Sequence, residues 1–474
     1  MEENKPFHRT IVERNKESPP AAPERSPVMP RLGVKQKLGF GIFDLGGNML
    51  FTLMGFWSLY YLTDIAGIAA AWAGAAVMIG KAWDAVTDPM MGFVSDRTLT
   101  RLGRRRPYIL FGAVPMLLTM WFFFTSPQIA NPVLLTLWAV FALMLLNTAS
   151  TVINVPYSSL TPELTDDYHE RTSLNGYRFG CAVFGTILGA AAVQPLAEFF
   201  AGPGKANVRF GWSMMGLTLG GITAVVTLLT FFGTREKTHT KEDLPTEGFF
   251  STYKEVFTNR PYVRLILTYA LNMMGLTFLQ SILAYYTEYI YKNPAMTPLA
   301  MMFLLLTAMV FIPVSVLVSK RIGKKRTYQI CFLVISAACL IIFFLGHRMG
   351  PNFFLGMMVF GGIGVGFGYV PPFSMVPDTI EYDAARSGKR KEGAYYGIWT
   401  FISKLGTALS VFLSGLILSA GGYIAGAVQG EKAVFAIRLL IGPIPALILI
   451  GAAVLIHFYT LDEKTYNRIM GKEQ

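Results

Sequence analysis

Long apolar runs separated by short polar breaks set the pattern of this chain. A helix that crosses a bilayer needs about 20 mostly apolar residues. Twelve segments meet that need, and the first six are Phe40–Tyr61, Ala69–Val94, Tyr108–Thr125, Pro132–Val155, Tyr177–Phe199 and Phe210–Phe232. The second six are Tyr262–Tyr286, Pro298–Val318, Thr327–Leu345, Phe353–Val376, Tyr395–Leu418 and Phe435–Tyr459. Glycines and polar residues interrupt the first and fifth. The expected architecture is an all-α membrane protein of about twelve spans in two six-helix halves. Its parts are a disordered tail (1–37), a first bundle (38–233), a connector (234–261), a second bundle (262–460) and a C-terminal tail (461–474).

The two halves repeat weakly. Val155-Pro156-Tyr157-Ser158-Ser159-Leu160-Thr161-Pro162-Glu163 matches Val370-Pro371-Pro372-Phe373-Ser374-Met375-Val376-Pro377-Asp378 at four of nine positions. An acid replaces an acid at the ninth, and Asp166 falls opposite Glu381. The basic turn around Gly103 recurs around Gly323, after the second span of each half. Internal repeats of this kind mark transporters in which one half rocks against the other around a midplane site.

Composition supports a lipid-solvated chain. Charged residues make up 15% of the sequence, against about a quarter in soluble proteins. The net charge of +12 would suggest nucleic acid in a soluble protein. Here the basic residues cluster between spans, so no nucleic-acid partner is expected. Arg97, Arg101 and Arg104 to Arg106, then Lys320 to Arg326, then Arg386 to Lys391 lie on one side, which the positive-inside rule makes cytoplasmic. Both termini would then be cytoplasmic, in a multi-pass protein of the plasma (inner) membrane, with the bilayer as partner and a monomer as the expected state. Cys181, Cys331 and Cys339 lie in apolar segments without metal-ligand spacing and read as packing residues.

Charges inside the spans carry the chemistry, because a charge in hydrocarbon faces a cavity or a partner. Asp84 and Asp88 are four apart, so both carboxylates share a helix face. They stay ionised together only with a cation or a basic partner nearby. The pair reads as a site that holds sodium or cycles a proton, or as a structural helix end. Lys404 sits too deep in the eleventh span to snorkel easily to water. It needs a counter-charge, from Asp84 or Asp88 in the other half or from a nearby carbonyl. Arg178 offers a fork of donors to a substrate hydroxyl or carboxylate, or else anchors to headgroups or Glu163. Asp44 and Asn48 share a face of the first span and line the cavity, or Asp44 pairs with loop arginines. Asp96 with Arg104, and Glu163 and Asp166 with Arg171, read as ion pairs of a cytoplasmic gate.

No phosphate-binding loop ending in Gly-Lys-Ser/Thr and no His-Glu-x-x-His motif occur. The chain is therefore not expected to be an enzyme or to need a cofactor beyond a coupling ion.

Several motifs together resemble the glycoside–pentoside–hexuronide:cation symporters, of which melibiose permease is the best-known type. They are Trp83-Asp84-Ala85-Val86-Thr87-Asp88-Pro89 with Gly92, the Thr100-Arg101-Leu102-Gly103-Arg104 turn, the Val155 to Thr165 stretch, Glu170-Arg171-Thr172, and Asp378-Thr379-Ile380-Glu381-Tyr382. The resemblance runs from about Leu38 to Tyr459. It implies a major facilitator fold and sodium- or proton-driven uptake. It also implies that Asp84 and Asp88 bind the cation, that Lys404 lies near them and that Arg178 serves the sugar. The acid and tryptophan that grip the sugar in melibiose permease fall here on Asn154 and Ser158, and a helix-one acid falls on Asn48. The galactoside clamp is therefore incomplete. The same motifs are similar to animal sodium-dependent lysophospholipid symporters, which keeps an amphipathic lipid as the alternative cargo. The candidate cation set is Asp84, Asp88, Asn48 and Thr151. The candidate substrate set is Arg178, Lys404, Asn154, Ser158, Asp44 and Trp399. Asp378 and Glu381 join the gate.

Overall fold

Twelve long helices make up the structure among the described residues, which in this computed structural model are 32–160, 164, 168–205, 207–234, 256–387 and 392–461. The first half holds α1 (Val34–Ile65), α2 (Ala70–Arg97), α3 (Arg106–Phe123), α4 (Pro132–Ser158), α5 (Ser173–Ala201) and α6 (Val208–Gly233). The second holds α7 (Arg260–Ile290), α8 (Met296–Ile322), α9 (Lys324–Met349), α10 (Pro351–Arg386), α11 (Gly393–Ala420) and α12 (Glu431–His457). Helices are what an apolar run forms in lipid, where every backbone group must find its partner within the segment. Asparagine caps start several of them. Asn131 Oδ1 accepts from Val133 N at 2.9 Å, and Asn259 Oδ1 from Tyr262 N at 3.3 Å, each cap lying close before a proline. Eleven of the helices are apolar enough to cross a membrane by composition. The twelfth, α2, is the one loaded with Lys81, Asp84 and Asp88.

Three expected boundaries move. The first helix begins at Val34, inside the expected tail, because Gly33 N donates to Gln36 Oε1 at 3.1 Å and Lys37 pairs with Glu170 at 3.0 Å. The end of the connector belongs to the second bundle. Val256 is buried there, and Asn259 Nδ2 donates to Thr379 O and to Tyr395 Oη. Leu461, expected in the C-terminal tail, is also buried. The bulk of both tails and of the connector lies outside the described residues.

The glycines that interrupt the first and fifth spans are a packing surface. A Cβ at Gly185 would strike the Leu45 carbonyl, one at Gly189 the Met49 carbonyl, and one at Gly41 the backbone of Tyr177 and Arg178. Small residues let helices approach closely in membranes, where water does not drive them together. In α10 the same device faces two ways. Gly362 and Gly366 meet α8, while Gly364 and Gly368 meet α9 at Ile335 and Cys331. Gly185→Val should cost ~1–3 kcal/mol by overpacking. The thermal midpoint of the purified protein should fall, and an unchanged midpoint would contradict the close α1–α5 approach.

The halves meet along α2 with α11, α1 with α7, and the middle of α5 with α8. These contacts favour one end. Gly74 abuts the Val411 and Phe412 carbonyls, Gly415 abuts Ala70, and Gly55 faces Gln280. All lie in the half of the bundle away from the basic turns. Among the described residues the halves are thus packed together at this far end. Gly103 (φ +110°) and Gly323 (φ +88°) both adopt a positive φ that glycine tolerates best, which accounts for their recurrence in the two basic turns.

Candidate functional site

The α2 face that carries Asp84 and Asp88 is set by α4. Asn147 Nδ2 donates to the Gly80 carbonyl at 2.8 Å, and the Trp83 indole N–H donates to Thr148 Oγ1 at 2.9 Å. One helical turn further, the Thr151 hydroxyl lies 2.9 Å from Asp84 Oδ1 and 2.8 Å from Asp88 Oδ1. Its single proton serves one carboxylate at a time. Across the interface, Lys404 of α11 sets its ammonium 2.8 Å from Asp84 Oδ2 and against Asp88 Oδ2. Asp84 is 7% exposed. Two carboxylates and a hydroxyl from one half thus surround a single ammonium from the other. Oxygen-rich and anionic, this is a donor set that suits a hard monovalent cation once the ammonium withdraws.

Lys81 belongs to this site as well, although the acids of its motif draw the eye first. It stands one turn before Asp84 on α2. The sequence carries a signal for it: a lysine three residues before an aspartate shares its face.

Asp44 and Arg178 are brought to each other. Arg178 Nε lies 2.6 Å from Asp44 Oδ2, and its Nη2 3.3 Å from Oδ1, a bidentate pair between α5 and α1. Tyr157 of α4 donates to the same carboxylate at 2.6 Å, and its ring lies under the guanidinium. Asp44 thus pairs with Arg178 of the fifth helix instead of a loop arginine, and the alternative of Glu163 for Arg178 lies outside the described residues. The physical reason is the glycine-lined α1–α5 packing, which places the two side chains at one level.

The other candidates are placed as follows. Asn154 Nδ2 donates to Ser150 Oγ at 2.9 Å, and its Oδ1 faces Gly47 of α1. Asn48 donates to the Asp44 carbonyl and Ser158 to the Val155 carbonyl, each within its own helix. Trp399 is corrected as a surface offered to substrate. It is 6% exposed and stacks on Tyr269 at 3.9 Å in the second-half core. Phe373, which is exposed, packs against it, and the exposed Tyr369 packs against Phe373. Tyr369 also reaches across the interface to Phe179, at 6.4 Å between ring centroids.

Among the gate candidates, Asp96 pairs with Arg105 at 3.2 Å and Arg104 at 3.6 Å. Asp378 pairs with Lys324 at 2.6 Å, and Glu381 follows one turn later on α10. The Asp96 pairs lie within the first half and the Asp378–Lys324 pair within the second. Glu163, Asp166 and the side chain of Arg171 lie outside the described residues.

Two pseudo-symmetric six-helix halves around a shared intramembrane charge site define a secondary transporter of the major facilitator type, not an enzyme. The family model for MFS/sugar transport proteins matches residues 39–463, and the chain belongs to that family. An uncharacterized symporter of Synechocystis is 28% identical over 93% of this chain and 96% of its own. An uncharacterized symporter of Bacillus subtilis, YjmB, is 30% identical over 93% of this chain and 95% of its own. The isoprimeverose transporter of Lactiplantibacillus pentosus is 26% identical over 90% and 89%. In fold, the chain is similar to a mutant of the nucleoside transporter NupG (TM-score 0.65, 14% identity, 90% of this chain and 99% of that one). It is also similar to an inward-facing, unoccupied bacterial homologue of the lysosomal transporter Spinster (TM-score 0.65, 13% identity, 92% and 97%).

Proposed function

We propose that the protein carries a sugar or glycoside into the cell together with a monovalent cation, sodium or a proton, by alternating access. One observation carries this reading: Asp84, Asp88 and Thr151 of one half converge on Lys404 of the other. A cation and the Lys404 ammonium compete for the same oxygens, so cation occupancy is linked to how closely the halves approach. That linkage is what symport needs, because a ligand drives a conformational change only through different affinity for the two states. The Asp44–Arg178–Tyr157 group and Asn154 supply polar contacts suited to hydroxyls. Such charged groups and amides suit a sugar better than an acyl chain. The isoprimeverose transporter among the relatives supports a sugar-type cargo. On this reading the basic loops and both termini are cytoplasmic, in the inner membrane. The protein works as a monomer, with the Asp96–Arg105 and Asp378–Lys324 pairs as part of the cytoplasmic gate.

A second reading rests on a lateral groove of about 470 Å³ between α5 and α8. Ala191, Pro195, Pro298, Leu299 and Met302 line it, with Gln194 and Glu198 as its polar groups. An apolar cleft of this kind would suit an amphipathic lipid such as a lysophospholipid.

Uptake into proteoliposomes of labelled glycosides, pentosides, hexuronides and lysolipids, with an imposed sodium or proton gradient, tests both. Accumulation of one sugar class that requires one gradient is the expected result. Gradient-driven accumulation of lysolipid alone would favour the second reading. Equilibration that ignores both gradients would remove cation coupling.

A further inference from the structure

The far ends of α1 and α7 carry related short patterns, a Tyr-Tyr followed by a Thr–acid pair. One reads Tyr60-Tyr61-Leu62-Thr63-Asp64-Ile65 and the other Tyr285-Tyr286-Thr287-Glu288-Tyr289-Ile290. In both, the first tyrosine ends the α-helix and the last five residues form a π-helical turn. Such turns inside helices are frequent at functional sites. Each turn holds one acid.

The acids are gripped across the interface, reciprocally. Asp64 of the first half accepts from two tyrosines of the second: Tyr289 Oη lies 2.5 Å from Oδ1, and Tyr423 Oη 2.6 Å from Oδ1 and 2.8 Å from Oδ2. Glu288 of the second half accepts from Tyr60 Oη of the first at 2.6 Å. The Thr63 and Tyr285 hydroxyls, 2.6 Å apart, add a third link between the halves. The rings seal the cluster: Tyr60 meets Tyr285 edge-on at 5.6 Å, and Tyr423 meets Tyr285 and Tyr289 at 5.3 and 5.4 Å.

We infer that this reciprocal acid–tyrosine cluster is the latch that holds the far face of the transporter shut, and that it opens and hydrates once in each transport cycle. Phenol-to-carboxylate hydrogen bonds are strong where the surroundings are dry. Once the halves part, water offers each group an equivalent partner, so the net cost of opening is far smaller than the sum of the bonds. An arrangement of this kind is firm when closed yet releasable. Ordinary apolar packing at this position would give no such hydrated alternative to either state. Reciprocity also matters. Because each half contributes both an acid and a tyrosine, rocking of either half breaks every link together, which makes closure cooperative.

The latch rests on the alternating-access reading but on neither the cargo nor the ion, so its test uses neither. Spin labels are placed at Gln128→Cys, in the far-end loop after α3, and Arg348→Cys, at the far end of α9, in a background lacking the three native cysteines. Pulsed dipolar spectroscopy on the monodisperse protein in nanodiscs reads the distance between the halves. The unaltered latch should give one short distance. Tyr289→Phe/Tyr423→Phe, which keeps both rings, should add a longer distance and raise its population about tenfold. Tyr60→Phe, a milder change, should raise it less. Distributions identical to the unaltered protein in both variants would overturn the proposal. So would a single short distance in the milder variant if the double variant yields no folded protein.

Discussion

Asp88→Asn is expected to lower ion-gradient-driven uptake ~100-fold or more. Asp88 shares both Thr151 and Lys404 with Asp84. With both carboxylates ionised, Lys404 neutralises one, and the other remains to attract a cation. Removing Asp88 leaves one carboxylate that Lys404 already neutralises, so the site no longer attracts a cation. Two unit charges 4 Å apart interact by ~4 kcal/mol at an effective dielectric constant of 20. Each 1.4 kcal/mol is a factor of ten in affinity, so a hundredfold loss takes only part of that interaction. The amide keeps the side chain's shape and one acceptor oxygen, so the fold should persist. The checks are the initial rate of uptake against cation concentration and, in parallel, exchange of labelled for unlabelled substrate at zero gradient. Exchange should survive better than accumulation. Full gradient-driven accumulation by Asp88→Asn would show that this carboxylate is not a cation ligand.

The fold was legible in the hydrophobic pattern because lipid permits few alternatives. Once the apolar runs are counted, helices follow from backbone hydrogen bonding. The span that departs most from that pattern, α2, does so because it carries Lys81, Asp84 and Asp88. A charge in an apolar run is conspicuous, so these acids and Lys404 could be singled out without any knowledge of which helices touch. What pairs with what was less legible. Arg178 and Asp44 lie 134 residues apart, and their register depends on how Gly41, Gly185 and Gly189 seat α5 on α1. In the sequence those glycines read only as interruptions. Tyr157 was invisible as a partner because a tyrosine at a span end is ordinary. Trp399 misled in another way. It stands in the candidate substrate set, yet its neighbour Tyr269 comes from α7, and stacking on it takes the indole into the core. Asp64 and Glu288 escaped notice because acids near the ends of spans are expected at the membrane surface. The approach of α1 to α7 and to Tyr423 beyond α11 gives them partners from the opposite half.

Arg178→Gln should destabilise the protein more than Asp44→Asn and Arg178→Gln together, and uptake should stay at least ~10-fold depressed in the double variant. The single change leaves a largely buried carboxylate with only the Tyr157 hydroxyl and the arginine's replacement amide. Breaking a buried ion pair from one side costs ~3–5 kcal/mol, while removing both charges can be nearly neutral. The two side chains are 24% and 15% exposed, so the lower end of that range applies. Thermal midpoints of the two singles and the double form a cycle whose coupling term isolates the pair. Stability alone cannot separate a strut from a binding group, and the double variant does. If Asp44 and Arg178 only brace α1 against α5, restoring charge balance restores both folding and transport. The geometry argues for more than bracing. The carboxylate already accepts from the Tyr157 hydroxyl, the kind of partner a sugar hydroxyl would be on the proposed reading. A polar site deprived of its charged members forfeits binding free energy on the order of 2–5 kcal/mol for each buried, hydrogen-bonded charge that is removed. Uptake should therefore remain low in a double variant that melts close to the unaltered protein. Recovery of uptake along with stability would reassign the pair to the scaffold.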